Sequence, residues 1–360
     1  MPVVSSPLNR RRFVLAATGS AVGMLAAPSI LRAAGEINLY SSRHYDTDEA
    51  LYANFTKETG IGINRIEAKA DQLIERMKAE GINSPADVFI SVDAGRIERA
   101  NVENLLQPVQ SDVLSSRIPS YLRHADGSWF GFSKRARVLV VAKDRMDPKD
   151  APSYEALIGE AMKGRVLIRS SGNIYNQSLM GSIIAAHGAD EAAKWASGMV
   201  ANFARSPKGG DRDQIKAVAA GEGDVGVVNS YYLGKMMKSS KEDQRQAADK
   251  VTLVFPNQAD RGTHVNISGG GVARHAKNQG GAIKFLEYLA SDQAQEFFAA
   301  GNVEYPVVKG VPLASPLDTF GEFKEDTLDV QKFASLNAEA VEIMDKACLL
   351  YTSDAADDLV

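Results

Sequence analysis

Cysteine is almost absent from these 360 residues, with Cys348 the single example; that excludes a disulfide within the chain and a thiolate metal cluster. No sign of charge dominates either. Lysine and arginine number 41 against 45 aspartates and glutamates, a formal net of −4, so there is no basic field of the kind that holds nucleic acid. The apolar run at residues 13–27 is too short to span a bilayer easily. Enzyme signatures are missing as well. There is no nucleophile elbow, zinc motif or kinase motif, and Gly269-Gly270-Gly271 lacks the lysine of a phosphate loop and reads as a hinge or a tight packing point. His124, His187, His264 and His275 lie in unrelated contexts without metal-ligand spacing.

What is present begins with an export signal. Residues 9–15 read Asn-Arg-Arg-Arg-Phe-Val-Leu, and the apolar run that follows is broken by Pro28 and ends at Ala33-Ala34. A charged start, a short apolar stretch and a small-residue cleavage region are the parts such a signal needs. Consecutive arginines before Phe13 resemble the twin-arginine type, which exports folded proteins, although a general secretory signal can also carry several. Residues 1–33 are therefore expected to be cleaved, leaving a periplasmic protein.

The remainder is long for one domain, and 44% hydrophobic with 24% charged residues is ordinary for a globular protein. Strands and helices alternate. Residues 37–40 read as a strand, followed by a helix capped by Asp46 or Thr47, with Leu51 and Phe55 inward and Gly60 at its end. Residues 61–66 and 87–92 read as strands flanking a helix that Asp71 can cap. Residues 131–142 form a long strand that can cross between lobes. Beyond it, strands at 165–170, 224–229 and 251–255 alternate with a loop and helix at 173–186 and helices at 191–203 and 211–220. Residues 263–273 suit the return crossing, and 282–298 a helix with an apolar face. This order implies two α/β lobes, each with a parallel sheet, and a ligand cleft where strand ends and helix starts converge.

Tyrosines occupy those strand ends. Tyr231 and Tyr232 follow the strand at 224–229, Tyr175 follows the strand at 165–170 in the loop after Ser171, and Tyr45 follows the first strand with His44 before it. Within a strand, adjacent side chains face opposite ways, so a Tyr-Tyr pair suits a strand-to-helix turn. Phenols clustered in a cleft suit a hard, highly charged cation such as Fe(III), because a phenolate is an anionic oxygen donor. A phenol ionises near pH 10 in water, so binding must expel protons. His44 is either a nitrogen ligand or an exposed loop histidine. Four phenolates around a 3+ ion leave one negative charge. Arg135 on the crossing strand is a candidate to balance it, or else a surface arginine, and Arg43, Arg137 and Lys235 are further candidates.

From about residue 37 to residue 347 the chain resembles periplasmic ferric-iron-binding proteins of ABC importers, in particular the tyrosine-rich branch known as FutA or IdiA, related to the Fbp family. The resemblance rests on Tyr40-Ser-Ser-Arg-His44-Tyr45, Ser84-Pro-Ala-Asp-Val-Phe89, Trp129-Phe-Gly-Phe-Ser-Lys-Arg135-Ala-Arg-Val138, Asn173-Ile-Tyr175-Asn176, Asn229-Ser-Tyr231-Tyr232-Leu233 and Phe285-Leu-Glu-Tyr-Leu289. It implies a type II periplasmic-binding-protein fold with two crossing strands. It further implies that Tyr45 from one lobe and Tyr175, Tyr231 and Tyr232 from the other hold Fe3+, with His44 as ligand or neighbour and Arg135 behind them. Water or an anion would complete the shell, and the partner would be an inner-membrane ABC iron permease. The Fbp branch uses a glutamate, and Ser91-Val92-Asp93 offers none at the corresponding strand end. The expected lobes are 34–134 with 263–300 and 135–262 with 301–347, in a monomeric, non-enzymatic carrier. An anion or polyamine carrier on the same fold is the alternative, and it would need a charged clamp in place of phenols. Residues 348–360 do not look like the family's ending and resemble translated adapter sequence.

Overall fold

The computed structural model describes residues 35–43, 45 and 47–347; the expected signal peptide, His44, Asp46 and the atypical tail lie outside them. The first half alternates β1 (Glu36–Ser41), α1 (Asp48–Thr59), β2 (Gly62–Glu67), α2 (Ala70–Glu80), β3 (Val88–Val92), α3 (Ala94–Val102) and α4 (Asp112–Arg117). Leu51 and Phe55, one turn apart, are buried, and Gly60 ends α1 in the left-handed conformation at φ 72°. Asp71 does not cap α2. That place belongs to Lys69, whose N–H donates to Gln72 at 3.3 Å, while Asp71 in the first turn pairs with Arg99.

The long β4 (Phe130–Ala142) is buried throughout. It leads to β5 (Val166–Leu167), α5 (Ile174–His187), α6 (Ala189–Asn202), α7 (Asp211–Ala220), β6 (Val225–Asn229), α8 (Ser230–Met237), α9 (Glu242–Asp249) and β7 (Val251–Val254). The strand expected at 165–170 is cut to two residues. After Leu167 the Asn176 amide donates to the Arg169 and Ser170 carbonyls at 2.6 and 3.1 Å, which turns the chain out of the ladder and into α5.

The return strand is β8 (Val265–Val272), followed by α10 (Gln279–Leu289), α11 (Asp292–Phe297), β9 (Tyr305–Pro306), α12 (Val330–Ser335) and α13 (Asn337–Lys346). The helix expected at 282–298 breaks at Ala290. There Ser291 caps α11, and the Gln295 amide takes the Leu289 carbonyl at 2.8 Å.

Strand order is β2-β1-β3-β8-β4-β6-β5, with β7 and β9 also on β4. Pairs β1–β2, β1–β3 and β5–β6 are parallel, as expected, whereas every pair made by the crossing strands is antiparallel. The early part of β4 pairs with β8 and its later part with β6 and β7, so one strand passes from the first half to the second. Hydrophobic cores separate accordingly. One gathers Phe55, Phe89, Trp129 and Phe285 around β1, β3 and β8. In the second half, Leu139 and Val141 face a core with Met180 and Trp195, and Val138 and Val140 face another with Ile215 and Met236. That alternation covers both faces of the second sheet. Val330 and Phe333 of α12 join the first core, and Ala340 and Met344 of α13 join the second.

The glycine run is a packing point. A Cβ on Gly270 would stand 2.0 Å from the Phe89 carbonyl oxygen, and one on Gly271 2.1 Å from that of Ser128.

Candidate metal centre

The tyrosines converge, though not from loops alone. Tyr45 lies in the turn between β1 and α1, where its carbonyl accepts from the Asp48 N–H at 2.8 Å. Tyr175 belongs to the first turn of α5, which Asn173 caps by accepting the Tyr175 N–H at 3.0 Å. Tyr231 and Tyr232 sit in the first turn of α8, not ahead of it. A helix spaces neighbours by about 100° where a strand would oppose them, so both rings reach the same side. They stack at 4.2 Å between centroids and 30° between planes. The Tyr175 and Tyr231 hydroxyls are 3.4 Å apart. Helix N-termini favour negative charge, so three of the four phenols stand where a phenolate is stabilised.

Charged groups surround them. Arg43 grips Asp48 through two nitrogens at 2.9 and 3.2 Å, reaches Glu304 at 3.2 Å, and lies 4.8 Å from the Tyr45 ring centroid. Lys235 lies 4.1 Å from the same ring centroid and 5.5 Å from that of Tyr231. Arg135 is 1% exposed, which removes the surface-arginine reading. Its Nη2 donates to Ser268 and lies 3.7 Å from Glu304, while its Nε and Nη1 have no hydrogen-bond partner among the described residues. Unpaired donors buried beside Tyr45, Tyr175 and Tyr231 are poised for negative charge arriving on those phenols. Arg137 serves differently: it holds Asp211 at 2.7 Å, Asn229 at 3.1 Å and Asn176 at 2.7 Å, tying β4 to β6, α5 and α7.

Glu304 is the residue that sequence reasoning missed. It is fully buried and accepts from Ser133 at 2.7 Å as well as from Arg43. Val303 before it has φ 59°, a strained conformation for a β-branched residue, and packs where a Cβ on Gly234 would be 2.5 Å away. A signal did exist. Ser133, Arg135 and Arg137 share one face of a strand that is otherwise apolar on that side, and buried arginines require buried acids. The acids are Glu304 and Asp211, which no local pattern distinguishes from surface carboxylates.

Burial pushes the Tyr231 and Tyr232 phenols well above their ordinary range, and the neighbouring Tyr175 adds to it. Tyr45 is likewise raised by burial and then by Glu304, against the pull of Arg43 and Arg135. Burial alone would raise the Glu304 carboxyl, but Arg43, Arg135, Ser133 and Lys235 together hold it below the usual carboxylate range. Lys235 is drawn down to about 8 by burial, with Glu304 opposing and Arg212 and Arg43 reinforcing. Tyr45, Tyr231 and Tyr232 are thus held neutral beside Arg43, Arg135 and Lys235.

The remaining histidines stay apart: His124 bonds Asp126 and Gln331, His187 meets Glu155, and His264 packs edge-on to Phe333. Among the described residues no group of three or more His, Cys, Asp or Glu could hold a metal, while phenolate oxygens are hard donors.

A family profile described as Bacterial extracellular solute-binding protein matches residues 50–326. The chain is 52% identical over 312 residues to Iron uptake protein A1 of Synechocystis sp., covering 87% of each chain. It is 46% identical over 349 residues to Iron uptake protein A2 of the same organism, covering 95% of this chain and 99% of that one. A solved structure of Trichodesmium IdiA (FutA) in complex with iron and citrate ligands is 57% identical, with a TM-score of 0.85 over 87% of this chain and 99% of its own.

Proposed function

As the chain belongs to the bacterial extracellular solute-binding family, we propose that it is a periplasmic carrier that captures ferric iron with a tyrosine set and delivers it to an ABC importer. The observation that carries this reading is the convergence of Tyr45, Tyr175, Tyr231 and Tyr232 on one point beside the unpaired donors of Arg135. Support also comes from relatives named for iron uptake and from the neighbour solved with iron and citrate. The carrier performs no catalysis in this reading.

Ferric iron enters as cargo. A 3+ ion offsets the burial that keeps the phenols neutral and drives them to ionise, and the helix N-termini and Arg135 then stabilise the phenolate charge. Arg43 and Lys235 fix the Tyr45 ring by contacts to its faces. His44 is a ligand or immediate neighbour of Tyr45, and water or a small anion completes the shell. The lobes, meeting near residues 134 and 263, close around the ion. Residues 1–33 act as a twin-arginine export signal, and the mature carrier works as a monomer with an inner-membrane iron permease.

Ferric phenolates absorb visible light. Titrating the purified protein with ferric nitrilotriacetate is expected to produce a yellow to red band that saturates at one iron per chain, and Tyr231→Phe is expected to lose most of it while remaining folded. A colourless protein, or a variant with full absorbance and affinity, refutes this site.

A further inference from the structure

Asp93 follows β3 and caps α3 with φ 80°, a left-handed conformation that a non-glycine residue adopts only when its surroundings hold it there. Its carboxylate is fully buried. Oδ1 accepts from the Gly95 N–H at 2.8 Å, and Oδ2 from the Asn266 amide of β8 at 2.8 Å. Both oxygens also accept from the Ser178 hydroxyl, at 2.9 and 3.0 Å. The same Asn266 returns its own oxygen to the Ala94 N–H at 3.0 Å, and the Asp93 N–H reaches the Ile267 carbonyl at 2.9 Å.

These partners belong to different parts of the fold. β3 pairs with β1, and the chain leaving β1 carries Tyr45. Ser178 lies on α5 three residues after Tyr175, the spacing that puts two side chains on one helix face. The contact is close-packed around that bond: a Cβ on Gly95 would lie 3.4 Å from Ile174 of α5. One carboxylate therefore joins the β3 end, the return strand β8 and the helix that presents Tyr175. Nothing in the tyrosine chemistry itself requires it.

The geometry points to Asp93 and Ser178 as the positioning pair that fixes the distance between Tyr45 and the tyrosines of the second half. This rests on the iron reading above. Asp93 touches no phenol and acts through α5. Without the Ser178 hydroxyl, α5 loses this hydrogen bond to Asp93, Tyr175 is held less closely to the other ligands, and iron escapes faster.

The test is release of iron from the loaded protein to excess EDTA, followed by the visible band in stopped flow. Ser178→Ala leaves Asp93 its Gly95 and Asn266 partners, so the variant is expected to fold and to reach the same band at saturation. It is expected to release iron about tenfold faster, equivalent to about 1.4 kcal/mol. In a Tyr175→Phe background the same substitution is expected to change the release rate less than about twofold, because the ligand through which it acts is gone. A purely structural role would lower the melting temperature and act equally in both backgrounds, and that result overturns the inference. A normal band with an unchanged release rate in Ser178→Ala overturns it alone. Absence of any band in the unsubstituted protein overturns the iron reading and this inference together.

Discussion

Lowering the pH is expected to release the iron, with a steepness that counts the phenolates. Tyr231 and Tyr232 are held well above the ordinary phenol range by burial and by Tyr175, and Tyr45 by burial and Glu304. The iron-bound state therefore holds fewer protons than the empty one, and affinity rises with pH everywhere below the phenol range. With one proton lost per phenolate, four ligands give about a ten-thousandfold loss of affinity for each unit by which pH falls. The assay is competition, between about pH 6 and pH 8, against a chelator whose own proton stoichiometry is known, with the logarithm of affinity plotted against pH. A slope near four supports the full set. A slope near two would show that only two of the phenols ionise, and a flat line would refute phenolate binding altogether.

Replacing Glu304 by glutamine leaves Arg135 without its nearby acid and is expected to destabilise the empty protein by about 3–5 kcal/mol in urea unfolding at pH 7. Because the native carboxyl is held below its unfolded value, this difference is present above about pH 4.3 and fades only as pH falls through the lower native value; a difference that grows on acidification would contradict the assignment. Gly270→Ala sets a methyl 2.0 Å from the Phe89 carbonyl and is expected to cost about 3 kcal/mol or more by the same measurement. A variant of unchanged stability would show that β3 and β8 do not pack as described.

Much of the fold was legible because its signals are local. Gly60 and Gly221 end helices through left-handed conformations that a side chain disfavours, and the apolar run at residues 138–141 belongs to the stretch already read as a long crossing strand. The tyrosines were legible for a related reason: their place after strands follows from the order of elements, and so does their place at a cleft. Boundaries were less so. The strand at 165–170 stops after Leu167 because a side chain six or seven residues on, Asn176, captures its carbonyls, and hydropathy carries no trace of that. The same applies to Tyr175, Tyr231 and Tyr232, whose helices begin earlier than the turn residues suggested.

The sequence by itself determined the element order and a set of phenols suited to a hard cation, since each is written in contiguous residues. Tertiary structure alone decided what those phenols meet. Arg43 and Glu304 are 261 positions apart, and Asp93 and Ser178 are 85 apart. Coulomb energy and hydrogen bonding depend on distance in space and on exclusion of water, and neither can be read until the chain has folded. Tertiary structure thus turned Arg135 from an ambiguous strand residue into a buried cation beside Tyr45, Tyr175 and Tyr231, and brought in Glu304, which the motifs had left unmarked.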